Sequence, residues 1–176
     1  VGVAAGPEVA IMDAGGRLLP AGQMGEIVIR GENVTRGYEN NPQANAEAFT
    51  DGWFRTGDAA MWLADGCLRF LGRYKDMLKV GGVFVAPSEI ENCLLQHEAV
   101  LECAVVGHDG GDGLVKPKAF IVTRADHEAG EALAEEIKQF VKTHIAIYKY
   151  PRWIEFVPSL PKNDRGKIDR KKLKIQ

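Results

Sequence analysis

The stretch at residues 72–91, GRYKDMLKVGGVFVAPSEIE, restricts the fold of this chain more than any other. It contains two short apolar runs separated by Gly81-Gly82, and a Gly-Gly pair between such runs is typical of a tight hairpin turn. The sequence APSE at residues 86–89 then has the pattern of a helix start, because proline suits the first helical turn and acidic side chains there complement the helix dipole. The stretch therefore predicts a strand, a turn, a strand and a helix in succession.

The residues before this stretch are predicted to be rich in β-structure. Short apolar runs separated by Asp, Gly and Pro favour strands joined by turns. Asn41-Pro42 favours a short helix, because asparagine is a preferred N-cap and proline a preferred first helical residue. The predicted elements are strands at residues 8–12, 26–30, 59–63 and 67–71 and a helix at residues 43–49.

After the stretch, predicted strands and helices alternate. An amphipathic helix is predicted at residues 131–144, since Leu133, Ile137, Phe140 and Val141 recur at helical spacing and form one apolar stripe. The other predicted elements are strands at residues 100–106, 118–122 and 153–157 and a helical segment at residues 170–174.

These patterns predict an α+β fold in two parts. A chain of 176 residues is long enough for one domain or two small ones. We place the boundary at Lys75, with a β-rich domain at residues 1–74 and a small α+β domain at residues 75–176.

The composition excludes several classes of protein. A hydrophobic content of 45% with 26% charged residues is that of an ordinary globular protein, and a net charge of −2 gives no indication of a nucleic-acid partner. No apolar run approaches the roughly 20 residues that span a bilayer. Cys67, Cys93 and Cys103 lack the spacing of metal ligands, and an odd count of cysteines fits a reducing, cytoplasmic compartment.

Three segments together resemble the motifs of the adenylate-forming superfamily, which includes acyl- and aryl-CoA ligases, peptide-synthetase adenylation domains and beetle luciferases. They are WFRTGD at residues 53–58, the stretch at residues 72–91, and LPKNDRGKIDR at residues 160–170. The resemblance covers essentially the whole chain. It implies a reaction in which a carboxylate attacks the α-phosphate of ATP to give acyl-AMP and pyrophosphate, after which the thiol of coenzyme A displaces AMP.

The resemblance also implies roles for individual residues. Asp58 corresponds to the family carboxylate that accepts hydrogen bonds from the ribose hydroxyls, and Arg73 to an arginine that also contacts the ribose. Lys167 corresponds to the family lysine that enters the active site and bridges the reacting carboxylate and the α-phosphate, for which a compact ammonium on a flexible stem is suited.

The same resemblance assigns the second half-reaction. Lys75 corresponds to the hinge about which the small domain rotates between the two half-reactions, a movement that depends on backbone torsion. Lys79, Gly81 and Gly82 correspond to the element that faces the site during thioester formation, where glycines let the pantetheine arm pass close to the backbone.

Several of the assigned residues also have a simpler interpretation. Asp58 is consistent with a turn residue before a strand, and Arg73 with one half of a surface salt bridge. Lys167 lies in a strongly basic segment that is consistent with a solvated surface. Gly81-Gly82 fits an ordinary hairpin turn, and here both interpretations can hold together.

The resemblance implies ATP, Mg²⁺ and coenzyme A as cofactors and a small carboxylic acid as substrate. The family's phosphate-binding loop and its Mg²⁺-binding glutamate have no match in this sequence, which begins at Val1 without an initiator methionine. We therefore expect the chain to be the C-terminal part of a longer enzyme and to be inactive without the missing N-terminal part.

Alternatives to a CoA ligase remain open. One is an adenylation domain that loads a carrier protein, and another is a non-catalytic interaction module that retains the fold. The acid is open as well. Phe84, with GLVKPKAF at residues 113–120 and YKYPRWIEFV at residues 148–157, resembles benzoate-CoA ligases, whereas residues 31–42 and 48–58 resemble oxalate- or fatty-acyl-type ligases.

Overall fold

The structure of the chain is a computed structural model that describes residues 6–174. The chain divides into two units, Val1–Lys75 and Asp76–Gln176. Lys75, predicted to be the first residue of the second domain, is the last residue of the first unit and lies in a short 3-10 helix, Tyr74–Asp76. The predicted α+β fold is confirmed, with most of the regular structure in strands.

The first unit is built on an antiparallel sheet. Its strands are β1 (Glu8–Met12), β2 (Met24–Arg30), β3 (Phe49–Thr50), β4 (Trp53–Trp62) and β5 (Leu68–Arg73). They are ordered β1-β2-β4-β3, and β5 also pairs with β4. The apolar face of this sheet buries Met12, Val28 and Trp53.

The helix of the first unit, α1 (Pro42–Ala48), begins as its sequence predicts. The Asn41 side chain accepts a hydrogen bond of 3.0 Å from the Ala44 amide, and Pro42 is the first helical residue. Asparagine thus satisfies one amide that the helix itself leaves without a partner.

Over residues 76–174, the second unit contains a hairpin, a three-stranded sheet, three α-helices and a short 3-10 helix, Ile147–Lys149. Its elements are β6 (Leu78–Val80), β7 (Val83–Val85), α2 (Pro87–Leu94), β8 (Val100–Asp109), β9 (Val115–Thr123), α3 (Glu131–His144), β10 (Trp153–Phe156) and α4 (Arg170–Leu173). Strand order in the sheet is β10-β9-β8, with β10 parallel to β9 and β8 antiparallel to it.

Both faces of β8 are covered over residues 103–106, which explains the continuous apolar run there. Cys103 and Val105 face a core formed with α2 and α3, whereas Ala104 and Val106 face a second cluster. Leu160 and Leu173, from the C-terminal segment, complete that second cluster. A strand buried on both sides gains from apolar residues at every position. The C-terminal segment is therefore packed on the sheet by its own apolar residues.

No helix within residues 6–174 has the length and hydropathy needed to cross a membrane.

The apolar stripe of α3 is buried as predicted. Leu133, Ile137 and Val141 are buried in the main core of the second unit, and Phe140 packs at its edge. Replacing Ile137 with alanine leaves a cavity, so we expect Ile137→Ala to lower the free energy of unfolding by about 3 kcal/mol. Urea unfolding followed by circular dichroism measures this change. Gln139→Ala, on the exposed face of the same helix, is the matched control and should change stability by less than about 0.5 kcal/mol.

Candidate functional site

The RTGD sequence forms a bulge within β4, where the sequence predicted a boundary before a strand. Residues 56–58 lie opposite the single residue Ile27 of β2. Gly57 has a φ of +75°, a left-handed torsion that glycine adopts without strain. The Thr56 hydroxyl donates a hydrogen bond of 2.8 Å to the Ile27 carbonyl, and the Asp58 amide donates one of 3.2 Å to the Thr56 hydroxyl oxygen. The bulge therefore fixes the place in β4 from which the Asp58 side chain extends.

A buried carboxylate that sequence reasoning missed holds this bulge in place. Glu26, with 5% of its surface exposed, accepts a hydrogen bond of 2.8 Å from the Gly57 amide. Its other oxygen accepts one of 2.8 Å from Arg55 Nε and lies 2.7 Å from Arg55 Nη2. The signal in the sequence was an acidic residue directly before the apolar run at residues 27–29 of β2. Such a residue needs a buried partner, because an isolated buried charge is strongly unfavourable.

Asp58 and Arg73, predicted from separate motifs, are brought together by the pairing of β4 with β5. The two residues are directly opposite each other, and Arg73 Nη1 lies 3.1 Å from Asp58 Oδ1. Their side chains remain 32% and 60% exposed, respectively, so a ligand in solution can reach them. The simpler interpretation of Arg73 as half of a salt bridge is thus correct, and it is compatible with a ligand role because a carboxylate has two acceptor oxygens.

Lys167 lies on a short loop that is closed by its own backbone. Residues 162 and 168 form an isolated bridge, and the amide of Asn163 donates a hydrogen bond of 2.8 Å to the Lys167 carbonyl. The Asn163 side chain accepts hydrogen bonds of 3.0 Å from the amides of Arg165 and Lys167, and Gly166 has a φ of +74°. Lys167 itself is exposed. We call residues 162–168 the lysine loop.

The β6–β7 hairpin has the predicted Gly-Gly turn. Gly81 and Gly82 have φ values of +56° and +85°, the torsions of the tight turn that matches the twist of two strands. Lys79 is exposed on β6, and Phe84, directly opposite it on β7, is 43% exposed. The hairpin interpretation of the glycines is therefore correct.

The predicted site residues are divided between the two units. Asp58 and Arg73 lie together in the first, whereas the β6–β7 hairpin and the lysine loop are separate segments of the second. Lys75 is exposed in the 3-10 helix where the first unit ends. In the part of the chain that the structure describes, no group of three or more His, Cys, Asp or Glu residues could hold a metal ion.

Comparison with known proteins identifies relatives along nearly the whole chain. Residues 89–167 match the family described as the AMP-binding enzyme C-terminal domain. The chain is 48% identical over 164 residues to benzoate–CoA ligase of Thauera aromatica, covering 93% of this chain and 31% of that protein. It is 39% identical over 175 residues to oxalate–CoA ligase of Saccharomyces cerevisiae, covering 97% of this chain and 31% of that protein.

A solved structure has the same fold. The crystal structure of the anthranilate CoA ligase AuaEII in complex with anthranoyl-AMP matches with a TM-score of 0.84 and 43% identity. The match covers 96% of this chain and 33% of that one. The chain thus spans about a third of the length of the relatives it matches.

The structure predicts that Glu26 stabilises the first unit. Glu26→Ala removes the acceptor of the Gly57 amide and the ion-pair partner of Arg55, whose side chain is only 18% exposed. Removing one partner of such a pair should lower the free energy of unfolding by about 3 kcal/mol. Urea unfolding at neutral pH measures the change. Glu8→Ala is the matched control, since it removes an ion pair with Arg30 whose side chains are 63% and 47% exposed. An equal loss in both variants would contradict the role given to Glu26.

Proposed function

Because this chain belongs to the adenylate-forming enzymes, we propose that it is the C-terminal portion of an ATP-dependent acyl- or aryl-CoA ligase. In the proposed reaction a carboxylate oxygen attacks the α-phosphate of ATP, pyrophosphate leaves, and acyl-AMP forms. The thiol of coenzyme A then attacks the acyl carbon, the bond to AMP breaks, and the thioester is released. Activation is needed because a free carboxylate is unreactive towards a thiol and AMP is a far better leaving group than oxide.

The pairing of Asp58 with Arg73 is the observation that carries this proposal. Residues 15 positions apart, each matched to a nucleotide-binding motif, meet across two strands with 3.1 Å between their charged groups. In the proposed complex Asp58 accepts hydrogen bonds from the vicinal ribose hydroxyls, for which two carboxylate oxygens are suited. Arg73 would keep its ion pair with the Asp58 carboxylate and would also donate hydrogen bonds to the ribose. The bulge fixed by Glu26 keeps Asp58 in register for both contacts.

Lys167 is proposed as the residue that assists acyl-AMP formation. Its ammonium would lie between the attacking carboxylate and the α-phosphate and neutralise negative charge that accumulates as the new bond forms. A preorganised charge of this kind stabilises the transition state more than the ground state. The exposed position of Lys167 on a closed loop supports this role, because the charge is presented outward and its backbone is already ordered.

We propose that the two units alternate between two states during the reaction. The first would be the last subdomain of the large nucleotide-binding domain, and the second the mobile small domain. Lys75 would be the pivot, and rotation about it would replace Lys167 at the site by Lys79 and the Gly81-Gly82 turn for thioester formation. The torsional role proposed for Lys75 is supported by its place at the end of the first unit, in a single turn of 3-10 helix.

The rest of the enzyme would supply the remaining parts. The sites for the ATP phosphates, Mg²⁺ and the acyl group are proposed to lie outside this chain. Relatives named for aromatic acids and for oxalate both match, so the proposal is for the reaction class and for coenzyme A as acceptor. The three cysteines, Cys67, Cys93 and Cys103, are free, which supports the proposed cytoplasmic location.

The proposed function is tested in the full-length enzyme by replacing Lys167. Lys167→Ala should reduce acyl-AMP formation by about 100-fold or more, because one preorganised charge is lost from the transition state. Thioester formation from preformed acyl-AMP should be much less affected. ATP–pyrophosphate exchange measures the first step, and single-turnover thioester formation from purified acyl-AMP measures the second.

Lys171→Ala is the matched control, because Lys171 is an exposed lysine four residues after Lys167. This variant should keep the wild-type rates of both half-reactions. A wild-type enzyme without thioester formation from coenzyme A would disprove the proposed acceptor. Equal losses in the two half-reactions of Lys167→Ala would disprove the role given to that lysine.

The pivot is tested by two substitutions of Lys75. Lys75→Ala should be mild in both half-reactions, because the proposed role depends on torsion and the side chain is exposed. Lys75→Pro fixes φ near −65° and also restricts the preceding residue, Tyr74. We expect the proline variant to retain pyrophosphate exchange and to lose thioester formation, which needs the further rotation. Thioester formation at the wild-type rate in Lys75→Pro would show that residue 75 is not the pivot.

A further inference from the structure

The lysine loop is attached at its C-terminal end through a charged pair, Arg170 and Glu91. Neither was predicted to take part in the site, and Glu91 was expected only to complement the dipole of its helix. Arg170, the first residue of α4, lies three residues after Lys167. Its Nη2 donates hydrogen bonds of 2.8 Å to both oxygens of the Glu91 carboxylate on α2. Glu91 Oε1 also accepts a hydrogen bond of 2.8 Å from the Val105 amide on β8. One carboxylate therefore joins α2, β8 and the start of α4.

The carboxylate of this pair is largely buried, and the guanidinium is partly buried. The side chain of Glu91 is 12% exposed and that of Arg170 is 30% exposed. Cys103 lies beside them, with its Sγ 3.5 Å from the Glu91 carbonyl oxygen. Burial raises the pKa of the Cys103 thiol to about 12, and the negative charge of Glu91 acts in the same direction. An ion pair in such a site is screened less by water and salt than one on the surface.

One nitrogen of the Arg170 guanidinium has no hydrogen-bond acceptor among the described residues. Its Nε is buried and has no hydrogen-bond partner within residues 6–174. A buried donor without a partner is unfavourable. The pair with Glu91 must offset that cost, so the position of the guanidinium is determined mainly by the carboxylate.

Apolar packing holds the same segment but cannot by itself fix its register. Leu160 before the loop and Leu173 after it are buried against β8 and β9, and Ile168 packs at the edge of that cluster. Contacts of this kind depend on buried area and not on direction. A carboxylate that binds Arg170 through both oxygens is directional and restricts where the preceding residues can lie.

We propose that Glu91 is a positioning residue for Lys167. By holding Arg170 against α2 and β8, it would fix the C-terminal end of the lysine loop and thereby the place from which the Lys167 ammonium extends. This inference rests on the proposed function, in which Lys167 assists acyl-AMP formation. The pair should therefore matter for the adenylation step and not for thioester formation, in which Lys167 takes no part.

A purely structural role makes a different prediction. If the pair only stabilised the second unit, its loss would lower stability and reduce both half-reactions together. Glu91→Gln separates the two cases, because glutamine keeps the shape and still offers an acceptor to the Val105 amide but cannot hold the guanidinium by charge. We expect pyrophosphate exchange in the full-length enzyme to fall by about tenfold or more, as a small misplacement of a reacting group has effects of this size. Thioester formation from purified acyl-AMP should stay within about twofold of wild type, since the proposed role is confined to the step that uses Lys167.

Two further variants complete the experiment. Arg170→Lys keeps the charge on a shorter side chain, whose ammonium reaches less far than the Nη2 that contacts both Glu91 oxygens. It should therefore show the same selective loss even if Glu91→Gln folds poorly. Glu135→Gln is the matched control: it removes the pair with Lys138 on α3, whose shortest N–O distance is 2.6 Å. That variant should keep both half-reactions.

A second measurement examines the loop directly. In the 176-residue chain, the Lys167 amide donates to Asn163 Oδ1 at 3.0 Å. Hydrogen exchange of this amide should be faster in Glu91→Gln and Arg170→Lys than in wild type and Glu135→Gln. Unchanged hydrogen exchange of the Lys167 amide in these variants would overturn the proposal. Equal losses in both half-reactions would overturn it as well. If Lys167→Ala leaves pyrophosphate exchange intact, the proposed function fails. The hydrogen-exchange rates of the Lys167 amide then still decide whether Glu91 orders the lysine loop.

Discussion

The first unit depends on one buried carboxylate. Glu26 satisfies the amide of Gly57 and the guanidinium of Arg55 from inside the sheet, so the bulge in β4 can form without leaving either group unpaired. Without that acceptor, the left-handed torsion at Gly57 would leave an amide facing a nearly dry interior. The bulge sets the register between β4 and β2, and the pairing of β4 with β5 places Asp58 opposite Arg73.

The second unit uses a comparable arrangement with different geometry. Glu91 also accepts from a backbone amide and a guanidinium, but the elements that it joins are two helices and a strand. In both units the carboxylate contacts the backbone or side chains near a short irregular segment, and Asp58 and Lys167, the residues with proposed roles, lie on those segments. The sheets provide bulk stability through apolar burial, whereas these directional contacts determine where the irregular backbone lies.

Much of this fold could be predicted from local patterns, and the reasons are visible in particular residues. The bounds of α3 follow from its apolar stripe, and the β6–β7 hairpin follows from Gly81-Gly82, because these signals are contained within one element. The start of β4 was placed too late, since Gly57-Asp58 has the composition of a turn and only pairing with β2 shows it to be a bulge. Glu26 and Glu91 were missed for the same reason: Glu26 binds Arg55, 29 positions away, and Glu91 binds Arg170, 79 positions away. The site residues themselves were predicted through motif resemblance, and their roles remain proposals.

The backbone torsions at Gly81 and Gly82 are unfavourable for residues of L chirality. An added Cβ would meet no atom within 4 Å at either glycine, yet both residues have positive φ. Size is therefore not what excludes other side chains from the tip of this hairpin. The restriction is one of handedness: an L residue would be strained at these torsions, whereas its mirror image would adopt them in the same open space. Glycine is thus the genetically encoded residue that serves here in place of a D-amino acid.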